Sequence, residues 1–189
     1  MTRSMASMKA LFLLLALALH ADAQSEMRNT VTFSGGFAHN VGNSCCGDSA
    51  PSLAVTYAYR LFPHVDLEAG VDTALSLGTQ AVGANYNVKA DDRFLWVPFG
   101  LKGVLPLRSG RVEVSAGAGG LYEKYLVGDN SFFVSRDSWG GYASTGIAVA
   151  VDRRRHFWVG ASPRLFFANT GDGYHSRWFV LNVGLGFRF

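Results

Sequence analysis

The least ordinary chemistry in the chain is Cys45-Cys46, set in the polar, turn-like segment Gly42-Asn43-Ser44-Cys45-Cys46-Gly47-Asp48-Ser49. In an oxidising compartment two thiols tend to oxidise. Adjacent cysteines can close only a strained ring, because a relaxed disulfide needs its Cα atoms farther apart than neighbouring residues allow. Three outcomes stay open: a vicinal disulfide pinching the loop, a link to another chain, or a reduced pair holding a soft metal. His39 and Asp48 lie nearby, but no spacing matches a standard zinc site, so no metal or cofactor is assigned. The second pair is His175-Ser176. Nucleophilic catalysis needs a serine, an adjacent base and an orienting carboxylate. Consecutive residues on a strand point to opposite faces, so these two could not meet if a strand runs through them. His64 and His156 fall beside short turns, where solvation accounts for them. No catalytic residue is assigned, and a non-enzymatic role is expected.

The elements that must carry these residues are strands. In 177–189 one parity reads Phe179, Leu181, Val183, Leu185, Phe187, Phe189, and the other reads Trp178, Val180, Asn182, Gly184, Gly186, Arg188. That period of two is a strand signal. Eight such segments fit the chain, at about 29–40, 51–61, 64–76, 92–105, 111–124, 138–151, 156–167 and 177–189. Gly and Ala fill both parities of the fifth and sixth. Connections alternate between short (after the second, fourth and sixth strands) and long (41–50, 77–91, 125–137 and 168–176).

The opening residues read as a targeting segment. Arg3 and Lys9 precede an unbroken apolar run at 10–19, followed by His20-Ala21-Asp22-Ala23. A basic flank, a short apolar core and an Ala-x-Ala site form a signal-peptide pattern, with cleavage expected after Ala23. The run falls short of the ~20 apolar residues a spanning helix needs. The expected organisation is therefore a signal peptide at 1–23 and one domain at 24–189. The formal charge of +3 falls to +2 once Arg3, Lys9 and Asp22 are removed, which is too mild to indicate nucleic acid. No second segment could cross a membrane as a helix, so any crossing must use strands closed into a barrel.

The parity opposite the apolar one carries Arg60, Asp66, Glu68, Asp72, Lys102, Glu113, Arg164 and Arg188, four basic and four acidic. An eight-stranded barrel is about wide enough to be filled by its own side chains, and charges pointing into it must pair. The balance suggests a plugged interior more than an open pore. Alternation cannot say which face is inside: a soluble ligand cup would put the apolar parity inward, a membrane barrel outward. Tyr59, Tyr122, Trp139, Phe157, Trp158, Phe167 and Trp178 fall near strand ends, where aromatic girdles form.

Signal peptide, even strand count, short and long connections in alternation, and a last strand ending in Phe187-Arg188-Phe189 together resemble the small eight-stranded outer-membrane β-barrel family. The transmembrane domain of outer-membrane protein A and outer-membrane protein X are examples. The resemblance covers the whole mature chain and is architectural. It implies an all-β, eight-stranded, antiparallel, up-and-down transmembrane barrel, monomeric, in the outer membrane, with both mature termini in the periplasm. It also implies that Phe187 and Phe189 are read by the barrel-assembly machinery, and that outer-membrane lipid and lipopolysaccharide surround the barrel. Glu123, Asp91, Asp92, Asp129 and Asp172, placed in the outer loops or at their bases, could bridge cations to lipopolysaccharide phosphates, although scattered acids are usually just solvated. Arg153–Arg155 at the inner rim could meet anionic headgroups or peptidoglycan. Lipid A deacylases of similar size carry a histidine and a serine separated by one intervening residue and followed by Asn, a motif absent here. The role expected is envelope integrity with surface loops that bind or adhere, the ligand unknown. A narrow or gated pore is the alternative, and a lipid A-modifying enzyme a more distant one.

Overall fold

The computed structural model describes residues 27–42, 49–83, 86–128, 133–169 and 175–189. The signal segment, Cys45 and Cys46 lie outside them. Eight strands follow in order: β1 Asn29–Asn40, β2 Ser49–Phe62, β3 Val65–Gly83, β4 Tyr86–Leu107, β5 Val112–Gly128, β6 Phe133–Ala150, β7 Phe157–Asn169 and β8 His175–Arg188. Each pairs antiparallel with the next, and β8 returns to β1, giving a closed up-and-down barrel. Closure removes every sheet edge in this part of the molecule. The seam is continuous: Asn29 N donates to Phe189 O at 2.9 Å, and Phe189 N donates to Asn29 O at 2.9 Å.

The alternation resolves with its apolar parity outward. Phe33, Leu53, Leu67, Leu101, Ile147 and Leu185 all face away from the bore, Leu185 being 66% exposed. The other parity points in, and Trp96, Trp178 and Asp72 are wholly buried there. Such a belt is stable only against an apolar surrounding, which is the inverse of a soluble ligand cup. Outward aromatics gather near both ends. Tyr122 and Trp139 pack at 5.2 Å toward the long-hairpin end, and Phe157 and Phe187 pack at 5.1 Å toward the short-turn end. Trp158 and Trp178, expected among the girdles, instead point into the bore and are 4% and 0% exposed.

Small residues let the wall close tightly. Gly100 and Gly119 sit opposite each other on β4 and β5, and a Cβ on either would come within 2.3 Å or 2.1 Å of a carbonyl oxygen on the facing strand. The β3–β4 register skips Gly70 and Val71 opposite Val97 and Pro98, where Pro98 has no N–H to donate.

One expectation fails. Segments 77–91 and 125–137 are not long loops, because strands β3 to β6 run on through most of them. These four have 19, 22, 17 and 18 residues, against 12, 13 and 14 for β1, β7 and β8. A tilted crossing uses about 9–11 residues, so β3–β6 extend well past their neighbours. Pairing with β2 stops at Ala74 on one side, and pairing with β7 stops at Trp139 on the other. Beyond those points β3–β6 form a four-stranded sheet of their own. The β3–β4 register shifts between Ala74 and Leu77, at the place where this sheet leaves the barrel.

Candidate functional site

The organised polar chemistry of the described residues is concentrated in the bore. The eight charged residues Arg60, Asp66, Glu68, Asp72, Lys102, Glu113, Arg164 and Arg188 all lie in the bore, in three ion-paired groups. Near the short-turn end Arg60 Nε donates to Asp66 Oδ1 at 2.8 Å. At the same end Arg188 makes a two-pronged pair with Glu113, at 3.0 and 2.7 Å. The Arg188 guanidinium also lies 4.4 Å above the centre of the Trp158 ring.

The third group spans the middle of the bore. Lys102 Nζ donates to Glu68 Oε2 at 2.6 Å, and Arg164 donates to Glu68 Oε1 at 3.2 Å and to Asp72 Oδ2 at 2.8 Å. Asn182 Nδ2 completes Asp72 at 3.0 Å, while Ser52 Oγ donates to Asn182 Oδ1 at 2.6 Å. Five strands therefore meet at one network: β2, β3, β4, β7 and β8. Strand phase makes this unavoidable, since Glu68 and Asp72 lie four residues apart on one strand and so share a face. A buried network of this kind needs nearly every member satisfied, and here only Arg164 Nε lacks a partner.

Between this network and the short-turn end lies a cavity of about 120 Å³. Hydroxyls of Thr30, Thr32, Ser34, Thr56, Ser115 and Ser144 line it together with the ion pairs. Above the network the bore changes character. Phe94, Trp96, Tyr142, Phe166 and Trp178 are all buried, with Trp96 5.5 Å from both Phe94 and Trp178 and 5.2 Å from Phe166. These rings pack against one another inside the bore.

Glu123 sits inside this plug, 1% exposed. Its Oε2 accepts from Trp96 Nε1 at 2.8 Å and from Ser176 Oγ at 2.6 Å, while Oε1 has no hydrogen-bond partner. It is therefore not at the base of an outer loop, and bridging a cation to lipid phosphates does not fit this position. Parity gave a signal for this: Glu123 shares the phase of Glu113 on β5, as Trp158 shares that of Arg164 on β7 and Trp178 that of Arg188 on β8. Ser176 is buried beside Glu123, while His175 points outward. The two lie on opposite faces. His39 Nδ1 instead meets Ser49 Oγ at 2.8 Å on the outer surface.

Phe187 and Phe189 stack at 5.7 Å on the outward face of the seam. His64 and His156 both lie at short turns, His156 against the Phe187 ring at 6.2 Å. Asp152 in the β6–β7 turn accepts from Phe157 N at 2.9 Å, and that backbone hydrogen bond holds its carboxyl below the usual range.

No protein-family model and no curated protein sequence matches the chain. Solved structures do. Neisserial surface protein A aligns with a TM-score of 0.62 at 15% identity, covering 87% of this chain and 98% of that one. The outer-membrane protein OprG of Pseudomonas aeruginosa gives 0.59 at 17% identity over 89% and 99%. Ail, the attachment invasion locus protein of Yersinia pestis, gives 0.56 at 15% identity over 86% and 100%. Identities this low establish fold and nothing finer. Strand count, closure, outward apolar belt and these alignments agree: the chain has the fold of the small eight-stranded outer-membrane barrels.

Proposed function

We propose that this protein is a non-enzymatic outer-membrane barrel whose task is to hold a binding surface above the membrane, the sheet made by the outer parts of β3 to β6. The single observation that carries this reading is the continuation of the β3–β6 ladder after β2 and β7 have stopped. Beyond Ala74 the β3 strand runs nine more residues to Gly83, about 30 Å along the strand. Among the described residues its far edge and the 133–138 edge of β6 have no neighbouring strand. Open edges present main-chain donors and acceptors to an extended partner segment. The bore supports the same reading, since a charged network and an aromatic plug in series suit a rigid support more than a passage.

In this reading the short-turn end and both termini of the mature chain face the periplasm, and the sheet stands outside, among lipopolysaccharide. The barrel is monomeric and also contributes to envelope integrity. The test is to replace 77–91 and 125–137 by tight turns and compare attachment of expressing cells to host cells and matrix. Attachment should fall to background while the difference in gel mobility between unheated and boiled protein is kept. Unchanged attachment would sink the reading, and steady conductance of the intact chain in planar bilayers would favour a pore instead.

A further inference from the structure

The short-turn end carries charge that the fold itself does not use. The β4–β5 turn presents Arg108 and Arg111, and the β6–β7 turn presents Arg153, Arg154 and Arg155. Strands β5 and β6 are neighbours, and Ala150 N donates to Arg111 O at 2.8 Å, so the two turns lie side by side. All five arginines are exposed, and among the described residues none of their side chains has an ion pair or hydrogen bond.

Other groups hold these turns together. Arg111 N donates to Arg108 O at 3.3 Å and Arg155 N to Asp152 O at 3.3 Å. Trp158 Nε1 donates to Arg155 O at 2.7 Å, fastening the turn to the barrel from inside. Asp152, the one acid in either turn, is engaged with the backbone of Phe157. Among the described residues the only non-glycine positions with positive φ are Arg108, at 47°, and Arg155, at 61°. Glycine or asparagine would take that conformation at lower cost. Arginine therefore stands twice where the backbone disfavours it. The Arg155 guanidinium also reaches over the neighbouring turn, within 2.7 Å of where a Cβ on Gly110 would lie.

The surroundings indicate the partner. Leu105, Leu107, Val151 and Phe157 flank the two turns, face outward and are exposed, continuing the apolar belt up to the arginines. A soluble acidic polymer would need the cations but not an apolar skirt running into them. A phospholipid needs both, because its tails lie against the belt and its phosphate meets the guanidiniums.

We propose that the rim formed by Arg108, Arg111, Arg153, Arg154 and Arg155 binds anionic phospholipid headgroups of the leaflet around the short-turn end. Guanidinium groups pair with phosphate through two parallel hydrogen bonds. The inference rests on the membrane reading given above.

The test uses the full mature chain in bilayer nanodiscs of phosphatidylcholine with a minority of phosphatidylglycerol. Lipids retained after transfer to detergent are counted by mass spectrometry. Wild type should retain phosphatidylglycerol about tenfold above its bulk fraction, since every basic residue near an anionic surface adds to the attraction. Retention should fall towards bulk composition in high salt and in R111Q/R153Q/R154Q, a variant that leaves both positive-φ residues in place. Wild-type retention in that variant overturns the proposal. So does bulk composition around the wild type, including the case where solubilised peptidoglycan fragments bind in its place. A wild-type chain that neither inserts nor changes gel mobility on boiling brings down the membrane reading, a result distinct from insertion without lipid preference.

Discussion

Toward the short turns the bore is lined by threonine and serine hydroxyls and crossed by ion pairs around a cavity of about 120 Å³. Toward the long hairpins the same bore is filled by Phe94, Trp96, Phe166 and Trp178, with one carboxylate, Glu123, among them. The first half is held by directional pairs that must stay complete, the second by area and shape. A charge removed from the first leaves another charge stranded, whereas the second contains a carboxylate with no ion-pair partner among the described residues. The two halves should therefore respond differently to the loss of a charge, although both are buried.

The largest expected effect is from Arg164→Met, which strands Glu68 against Lys102 alone and leaves Asp72 with Asn182 only. Removing one partner from a buried pair costs about 3–5 kcal/mol, so the denaturant midpoint of the fast-migrating form in detergent should drop steeply. A drop below 1 kcal/mol, about what an exposed pair is worth, would mean that water reaches the network and that the contrast between the halves is false. Next comes Trp96→Ala, which removes the ring central to the plug at about 3 kcal/mol. Paired with Trp178→Ala it should turn a silent barrel into one with brief conductance steps in planar bilayers. If the double variant stays silent, the charged network alone seals the bore. Arg188→Gln gives up the two-pronged bond to Glu113 at the partly wetted mouth and should cost about 1 kcal/mol. The smallest effect belongs to Glu123→Gln. The amide oxygen can still accept from Trp96 and Ser176, so stability should stay within about 0.5 kcal/mol or rise slightly. A loss as large as that of Arg164→Met would place an unseen counter-charge in the plug.

Strand phase was the part most plainly written in the residues. β1 occupies 29–40, where the alternation of Val31, Phe33 and Phe37 put it. The eight charges of one parity share the bore because a period of two leaves them nowhere else to go. Which parity faced in was not legible, since inverting the barrel leaves the pattern unchanged. The length of β3–β6 was hidden for a different reason. Stretches such as Leu77-Gly78-Thr79-Gln80 and Asn87-Val88-Lys89-Ala90-Asp91-Asp92 carry no continuous apolar parity and so read as loop. Glu123, Trp158 and Trp178 mark the limit of residue type as a guide: an acid or an indole near a strand end suggests an interface, whereas the phase of their own strands turns all three inward.

The seam between β1 and β8 has a consequence for how the chain could be rearranged. Asn29 and Phe189 exchange two backbone hydrogen bonds, so a short linker could join the ends and new termini could be opened at 109–110. The circular permutant would keep every ladder partner of β8 while burying its last phenylalanine in the middle of a chain. Closing the wall and marking the end of the polypeptide would thereby become separate properties. A permutant that folds in detergent yet fails to reach the membrane in cells would show that the second property belongs to the free terminus and the first to the strand.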